Sequence, residues 1–489
     1  MGLDVLGREL FGTPILENFS ASSDEHGPAA RQLKQFLLDQ DYTDRAICSR
    51  ISVASLQSVP PHRDEILCRR MLGDGPLDEL IRLFLLNVRI GPERLQRLLP
   101  PPLADFLAKV GMLAKTREGD VLATVSIFPH GALHLVTDAW SYRAVWGAVE
   151  RHADRVMYPG HDSTGLAYIA SRAPSARTLD LCCGSGIQAL LAAEYSREVV
   201  AVDINPRAVR MAEFNARMNG VENVTFLAGD LYGPVEGQTF DAILANPPFV
   251  PKPSGAAPQL LFRDGGPVGE AVLARILSGW RRHANEGARL AIVSDLINLA
   301  DYAAKLCVWQ GDHPETHLFL EEETDLVEYA LGHSAYVTDQ DDRQRATLDM
   351  LDALDEAGVR TVHFGYLIQG GTRPGPLHVH SVNAIVTRPS QLEAARIVRT
   401  REVLAADRLP SAILQLEEDV EVTVSLIGKE RRIRLDASRS LAGVSCEISC
   451  EAYALLDRIS SGPTLFRELT LDEQALACEL ARLNVLHLA

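Results

Sequence analysis

The feature that most constrains this chain is a rhythm of short apolar runs between residues 178 and 294. Thr178–Leu181, Val199–Asp203, Val224–Leu227, Ala242–Ala245 and Leu290–Ser294 are brief and mostly aliphatic, and stretches with helical patterning such as Ile187–Glu194 and Pro206–Asn219 lie between them. Strands that alternate with helices of this length predict a parallel, doubly wound α/β sheet. Runs that lack a polar residue at every second place fit strands buried on both faces. In an open sheet of this kind ligands bind in the crevice outside the carboxyl ends of the strands. The residues that close each run are therefore the ones to search for chemistry.

The first run ends in Asp180-Leu181-Cys182-Cys183-Gly184-Ser185-Gly186. Gly184 and Gly186 sit where a strand must turn sharply into a helix, and glycine permits positive φ and a close approach of ligand to backbone. The helix start then offers free N–H groups and the positive end of a dipole. A dinucleotide site would place a pyrophosphate there. Here Cys182 takes the first glycine place of that pattern and Ala189 the last, which suits a nucleotide-like cofactor without phosphates. Asp203 closes the second run, roughly 20 residues past the glycines, where an acid takes ribose hydroxyls. It could also cap the helix that follows, although Asn205 before Pro206 is the better cap. Asp230 closes the third run and is placed to meet an adenine amino group, or is a solvated turn acid. Asp180 faces the cofactor or caps the turn. Cys182, Ile204, Leu231 and Asn246 are counted with these residues as cofactor-binding.

The fourth run ends in Asn246-Pro247-Pro248-Phe249. Two prolines fix the backbone, and asparagine ahead of them at a strand end presents a side-chain amide in a rigid frame. With the glycine loop, Asp203 and Asp230 at the ends of successive strands, the set resembles the class I S-adenosylmethionine-dependent methyltransferases. More narrowly, Asn246–Phe249 is similar to the motif of the glutamine N5-methyltransferases that act on peptide release factors, and of DNA and RNA amino-methyltransferases. The resemblance covers roughly residues 145–390. Phe262-Arg263-Asp264-Gly265-Gly266 resembles a group of bacterial methyltransferases with a helical, winged-helix-like N-terminal domain and a small C-terminal module.

The resemblance implies a Rossmann-like seven-stranded sheet with an antiparallel last strand. It implies a cofactor pocket lined by Asp180, Gly184, Gly186, Asp203 and Asp230, with S-adenosyl-L-methionine as donor and S-adenosyl-L-homocysteine as product. It also implies that Asn246 and the Pro247 carbonyl accept hydrogen bonds from a target NH2 while Phe249 packs on its plane. An activated methyl sulfonium needs alignment and desolvation more than acid–base help, and two rigid acceptors can fix both N–H bonds of a delocalised nitrogen. Asn246, Pro247 and Phe249 are thus the expected catalytic residues. Tyr158, His161, Arg263 and Asp264 are expected at the substrate mouth. His161-Asp162-Ser163 is not read as a relay, because neighbours in sequence cannot stack as one.

Three domains are expected: residues 1–145, helical and winged-helix-like; 146–392, catalytic; and 393–489, a small winged-helix-like α+β module. In the first, helical stretches precede strand-like Val121–Phe128 and His134–Thr137. Late in the catalytic domain, Val362–Ile368 and His378–Thr387 read as a hairpin across a glycine- and proline-rich turn. The net charge of −17 disfavours a polyanionic partner, so the segment in recognition-helix position, with Lys109 as its base and Asp105 beside it, is read as structural or substrate-covering. No transmembrane run or signal peptide is expected. Scattered cysteines without a CxxC pair argue for reduced thiols, a cytoplasmic home and no zinc site. His378 and His380 share a strand face but show no third ligand, so no metal is expected. The reading is an N-methyltransferase acting on a small molecule, peptide or protein. The alternatives are a nucleic-acid exocyclic-amine methyltransferase and a non-catalytic S-adenosylmethionine-binding scaffold.

Overall fold

The computed structural model describes residues 2–3, 9–11, 15–58, 64–116, 118–139, 153–252, 260–334, 340–382, 391–405, 412–416, 420–427, 430–436, 445–462, 464–483 and 485–488. Its centre is an eight-stranded sheet. In chain order the strands are β1 (Ser175–Leu181), β2 (Ser196–Asp203), β3 (Val224–Ala228), β4 (Phe240–Ala245), β5 (Ala284–Ile297), β6 (Pro314–Thr324), β7 (Val362–Pro374) and β8 (Leu377–Ser381). Across the sheet they run β8-β6-β7-β5-β4-β1-β2-β3. β7 is antiparallel to both neighbours, β5 and β6, while the other pairings are parallel. This is the expected seven-stranded arrangement with one more strand at an edge.

That edge strand corrects the expected hairpin. β7 and β8 do not pair with each other; β6 lies between them. The chain leaves β7 at Pro374 and crosses the start of β6, where Gly375 N donates to the His313 carbonyl and Thr316 N to that of Pro376. β8 then runs parallel to β6 with His317 opposite His378. The part of the second run beyond residue 382 lies outside the described residues.

Alternate residues of the strands feed two cores. Leu179, Leu181, Val200, Ile243, Leu290 and Ile292 face one side, while Val199, Ala201, Leu244, Ala291, Val293 and Phe319 face the other. Helices α1 (His161–Ile169), α2 (Ile187–Ala192) and α3 (Pro206–Asn219) follow the N-terminal approach, β1 and β2 in turn. Asn205 caps α3 by accepting from Arg207 N, Pro206 opens it, and Gly220 ends it in the left-handed conformation, an N-to-C order of signals that follows from their backbone preferences.

After two short strands, Gly2–Leu3 and Glu9–Phe11, the N-terminal part is mostly helical up to Pro101–Lys109 and then turns to strands again. The expected strand Val121–Phe128 is broken at Thr124: Val121–Ala123 pairs with Leu113–Thr116, and Val125–His130 forms a hairpin with Leu133–Asp138. Thr124 donates its hydroxyl to the Gly111 carbonyl, which turns the chain out of the first sheet. The core of this part is continuous with Ala208, Met211, Phe214 and Met218 of α3. Helix α4 (Gln391–Ala405) spans residue 392, where a boundary was expected, and packs Ala394 and Ile397 into the catalytic core. Beyond it, Glu421–Ile427 and Glu430–Asp436 form a hairpin, and Cys450–Ser460 and Leu471–Arg482 are helices. No helix among the described residues is long and apolar enough to cross a membrane.

Candidate active site

A cavity of about 610 Å3 opens at the carboxyl ends of β1, β2 and β4, lined by Cys182, Gly184, Asp203, Ile204, Asp230 and Asn246 among others. This is within the size range of small-molecule sites. Cys182, Gly184 and Gly186 all have positive φ, at 58°, 52° and 84°. A Cβ on Gly184 would meet nothing within 4 Å, because that side is the cavity. The Gly184 N–H donates to Asp203 Oδ2 at 2.8 Å, and Asn205 N donates to Asp203 Oδ1 at 2.8 Å. A phosphate at this loop would therefore meet a carboxylate that already holds the loop N–H. Ligand hydroxyls and a cationic centre fit the same acid. Burial pushes the Asp203 carboxyl up, and the two backbone donors offset part of that. Ile204, 54% exposed beside it, offers an apolar face to a flat base.

Of the expected cofactor residues, Gly186 does not line the cavity, and neither does Asp180. Asp180 is buried, and its Oδ2 accepts from Ala189 N at 3.0 Å, so it fastens the start of α2 from beneath the loop. Burial drives its carboxyl well above the ordinary range. Asp230 lines the cavity but is paired with Arg275 at 2.6 Å, both side chains half-exposed. Leu231 is nearly buried behind it with φ 47°. The Cys182 and Cys183 thiols are pushed well up, first by burial and then by Asp203, so neither is a ready nucleophile.

The side-chain amide of Asn246 is oriented by residues the sequence reading set aside. Its Nδ2 donates to Asp162 Oδ2 at 2.8 Å and to Ser163 Oγ at 3.1 Å. A carboxylate can only accept, so the amide nitrogen must face Asp162 and Oδ1 is turned the other way. Asp162 and Ser163 occupy the first turn of α1, and Gln188 of α2 fixes that turn by donating to the Ser163 carbonyl at 2.7 Å. The glycine loop and the Asn246 clamp are thus joined through two short helices.

Pro247, Pro248 and Phe249 line the same cavity. The segment after them folds back beside them: Val250 N donates to the Arg263 carbonyl and Gly265 N to that of Val250, both at 2.9 Å. A Cβ on Gly265 would stand 2.7 Å from the Pro248 oxygen, and one on Gly269 2.1 Å from the Phe249 oxygen. The glycines of this segment are what let it press against the Asn246–Phe249 backbone. Phe249 meets Phe364 edge-on at 6.2 Å.

Of the expected mouth residues, Tyr158, Arg263 and Asp264 line the cavity and His161 does not. Tyr158 stacks on Phe128 at 5.4 Å. Arg263 donates to the His333 carbonyl at 2.6 Å. Asp264 does not pair with Arg263. It is buried, accepts from Leu260 N at 2.7 Å and lies 3.4 Å from Lys252 Nζ. His161 stands outside the lining, with Nε2 3.1 Å from Glu321 Oε1 and its ring 4.9 Å from that of Phe364. His378 and His380, left without a third ligand in the sequence, have Glu315 and His317 beside them, because the parallel β6–β8 pairing sets His317 level with His378.

Comparison with known proteins agrees with this geometry. Residues 164–295 match the methyltransferase small domain family. A ribosomal protein uL3 glutamine methyltransferase of Bradyrhizobium diazoefficiens is 41% identical over 118 residues, 22% of this chain and 37% of that protein. A protein of Methanocaldococcus jannaschii named as a candidate protein N5-glutamine methyltransferase is 31% identical over 142 residues, 28% of this chain and 71% of that one. The chain thus spans only about a third of the first relative and over two thirds of the second. Among solved structures, the ribosomal protein L11 methylase of Lactobacillus delbrueckii subsp. bulgaricus is 17% identical, with a TM-score of 0.26 over 43% of this chain and 78% of that one. The chain belongs to the class I S-adenosylmethionine-dependent methyltransferases, in the family that includes the protein glutamine methyltransferases.

Proposed function

We propose that this protein methylates a side-chain amide nitrogen, with a glutamine of a peptide or protein as the acceptor class. The observation that carries the reading is the Asn246 amide, held by Asp162 and Ser163 so that Oδ1 is free to accept. A primary amide offers two N–H donors in one plane, and its nitrogen lone pair is delocalised. Asn246 Oδ1 and the Pro247 carbonyl are two acceptors on a backbone stiffened by Pro247 and Pro248, suited to hold both N–H bonds and leave the lone pair facing the cofactor. Phe249 supplies an apolar wall for the amide plane.

When bound, S-adenosylmethionine supplies the methyl group on a positively charged sulfur, which is already a good leaving group. The residues for its nucleoside end are Asp203 for the ribose hydroxyls and Ile204 for the base, with Asp230 beside them. The acidic cavity wall suits a cation and opposes a pyrophosphate. The names of the relatives, among them release factor and ribosomal protein glutamine methyltransferases, favour a translation-related protein as the acceptor. The net charge of −17 favours a protein over free nucleic acid.

The test is to incubate the protein with methyl-labelled S-adenosylmethionine and a cell extract, then to separate protein, nucleic acid and small molecules. The expected result is label in protein, located by mass spectrometry on a glutamine amide and lost with Asn246→Ala while cofactor binding stays. Label in nucleic acid, or full activity in Asn246→Ala, overturns the reading.

A further inference from the structure

A second cluster of chemistry-bearing side chains lies at the opposite end of the sheet from the methyl-transfer cavity, at the starts of β6 and β8. Glu315 Oε1 is 3.0 Å from His378 Nε2 and 3.5 Å from His317 Nε2. The donor atoms of the three residues all lie within 4.8 Å of one another. The ring centroids of His317 and His378 are 4.7 Å apart, and those of His317 and His380 5.3 Å. We propose that Glu315, His317 and His378 bind a divalent transition-metal ion, with Zn2+ the best-fitting one, as a staple between the edge strand β8 and β6.

Three points favour this over a plain carboxylate–imidazole contact. His317 is 1% exposed, yet its Nε2 has no hydrogen-bond partner. A buried ring nitrogen left this way is disfavoured, and a metal bond satisfies it. Next, His317 Nδ1 lies 3.0 Å from His380 Nε2. The tautomer with the proton on Nδ1 turns the Nε2 lone pair toward the Glu315 carboxylate 3.5 Å away, and a cation between them makes that arrangement favourable. An outer-shell acceptor that fixes the tautomer of a ligating imidazole is a common device of metal sites, and His380 Nε2 takes that place here. Finally, the spacings are right in scale: zinc bonds of about 2.0–2.2 Å to nitrogen and oxygen set tetrahedral donors roughly 3.4 Å apart. Glu315 and His317 also border a cavity of about 930 Å3, which leaves room for water as the fourth ligand. Two imidazoles and one carboxylate suit zinc better than magnesium or calcium, which prefer oxygen.

The site holds together segments that the sequence leaves loosely joined. β8 is the outermost strand, and its hydrogen-bonded neighbour among the described residues is β6. A metal bond across that pair would anchor the strand and, through it, the chain that leads to α4.

The experiment uses the untagged full-length protein, stripped with a chelator, dialysed and titrated with Zn2+, with bound metal measured by elemental analysis and thermal unfolding followed in parallel. Replacement by Co2+ should give visible absorption bands characteristic of low-coordinate nitrogen and oxygen ligation. The expected result is one equivalent of Zn2+ per chain and a raised unfolding temperature, both lost in His378→Gln and in Glu315→Gln. Both side chains are partly exposed, and S-adenosylmethionine binding by the variants reports that they fold. His380→Asn should weaken zinc about 10- to 100-fold without abolishing it. No stoichiometric zinc in the wild-type protein, or zinc retained in full by His378→Gln and Glu315→Gln, overturns the proposal. The outcome is independent of whether methyl transfer to an amide is found.

Discussion

Asp162→Ala tests whether the orientation of Asn246 matters to the chemistry. The substitution removes the carboxylate that accepts from Asn246 Nδ2 at 2.8 Å and leaves Ser163 Oγ at 3.1 Å as the remaining partner. A hydrogen bond to a charged group contributes about 1.5–3 kcal/mol. With that bond gone, the amide can rotate, or turn its nitrogen toward the substrate where an acceptor is needed. If the whole contribution goes into holding the productive rotamer, the loss appears in turnover at 1.36 kcal/mol per tenfold, a fall of about 10- to 150-fold in kcat. Asp162 makes no hydrogen bond to the residues around Asp203, so cofactor affinity should change by less than about twofold. Asp162→Asn keeps an acceptor oxygen but loses the charge. Neutral bonds contribute about 0.5–1.5 kcal/mol, so its activity should fall between those of wild type and Asp162→Ala. The assay is steady-state methyl transfer to the acceptor peptide, with cofactor Kd measured by calorimetry. If Asp162→Ala keeps kcat within about threefold of wild type, or loses cofactor affinity in step with rate, the clamp is not what holds Asn246.

Two further outcomes follow from the same region. Gly269→Ala places a Cβ 2.1 Å from the Phe249 carbonyl oxygen at a φ of +83°; the strain should destabilise the protein by about 1–3 kcal/mol and lower turnover more than cofactor affinity, as read by thermal melts and the transfer assay. Asp295 is fully buried against Tyr329, and burial raises its carboxyl to about 7. The folded state therefore keeps this proton across the range where the unfolded chain has lost it, so its share of stability falls as pH rises from about 4 to about 7. Asp295→Asn should remove that slope and be the more stable form above pH 7, by at most about 4 kcal/mol, as judged by urea melts at pH 5 and pH 8.

What could be read from the sequence was what is local to a strand end. The glycine loop, Asp203 and Asn246–Phe249 each announce themselves within a few residues, and the alternation of strands and helices then brings them to one crevice. What could not be read is set by contacts across long stretches of chain. Asp162 and Asn246 are 84 positions apart, and nothing in His-Asp-Ser distinguishes an orienting pair from an ordinary helix start. Arg263 and Asp264 both line the cavity, but their separate partners, the His333 carbonyl and Leu260 N, belong to a distant helix and to a turn that nothing in the local sequence names. Asp180 reads as a pocket acid by its place before the loop, but its side chain points under α2 to a backbone N–H. The third ligand for His378 was invisible because a parallel neighbour is found only once the strand order is known. The hairpin failed for the same reason: a turn rich in glycine and proline signals reversal, not which strand is waiting on the other side.

The N-terminal part is tied by hydrogen bonds to the cofactor loop itself. Asn215 on α3 is fully buried and accepts from Val136 N at 2.8 Å. Its Nδ2 donates both to the Val136 carbonyl and to the Ser185 carbonyl, each at 2.9 Å. Ser185 stands between the two loop glycines, so one amide ties the N-terminal hairpin to the backbone that the cofactor must approach. A few turns away on the same helix, Arg207 pairs with Asp138 at the end of that hairpin, and Asp138 also accepts from Val156 N at 2.7 Å. Asn205, next to the acid that anchors Gly184, donates to the Asp154 carbonyl at 2.5 Å. Each of these groups is buried or nearly so, where a broken hydrogen bond leaves an unsatisfied polar atom that costs about 1–3 kcal/mol. Shifting the hairpin while the loop stays put would break these bonds. Anything that docks on the N-terminal part and moves it must also act on the cofactor loop through α3.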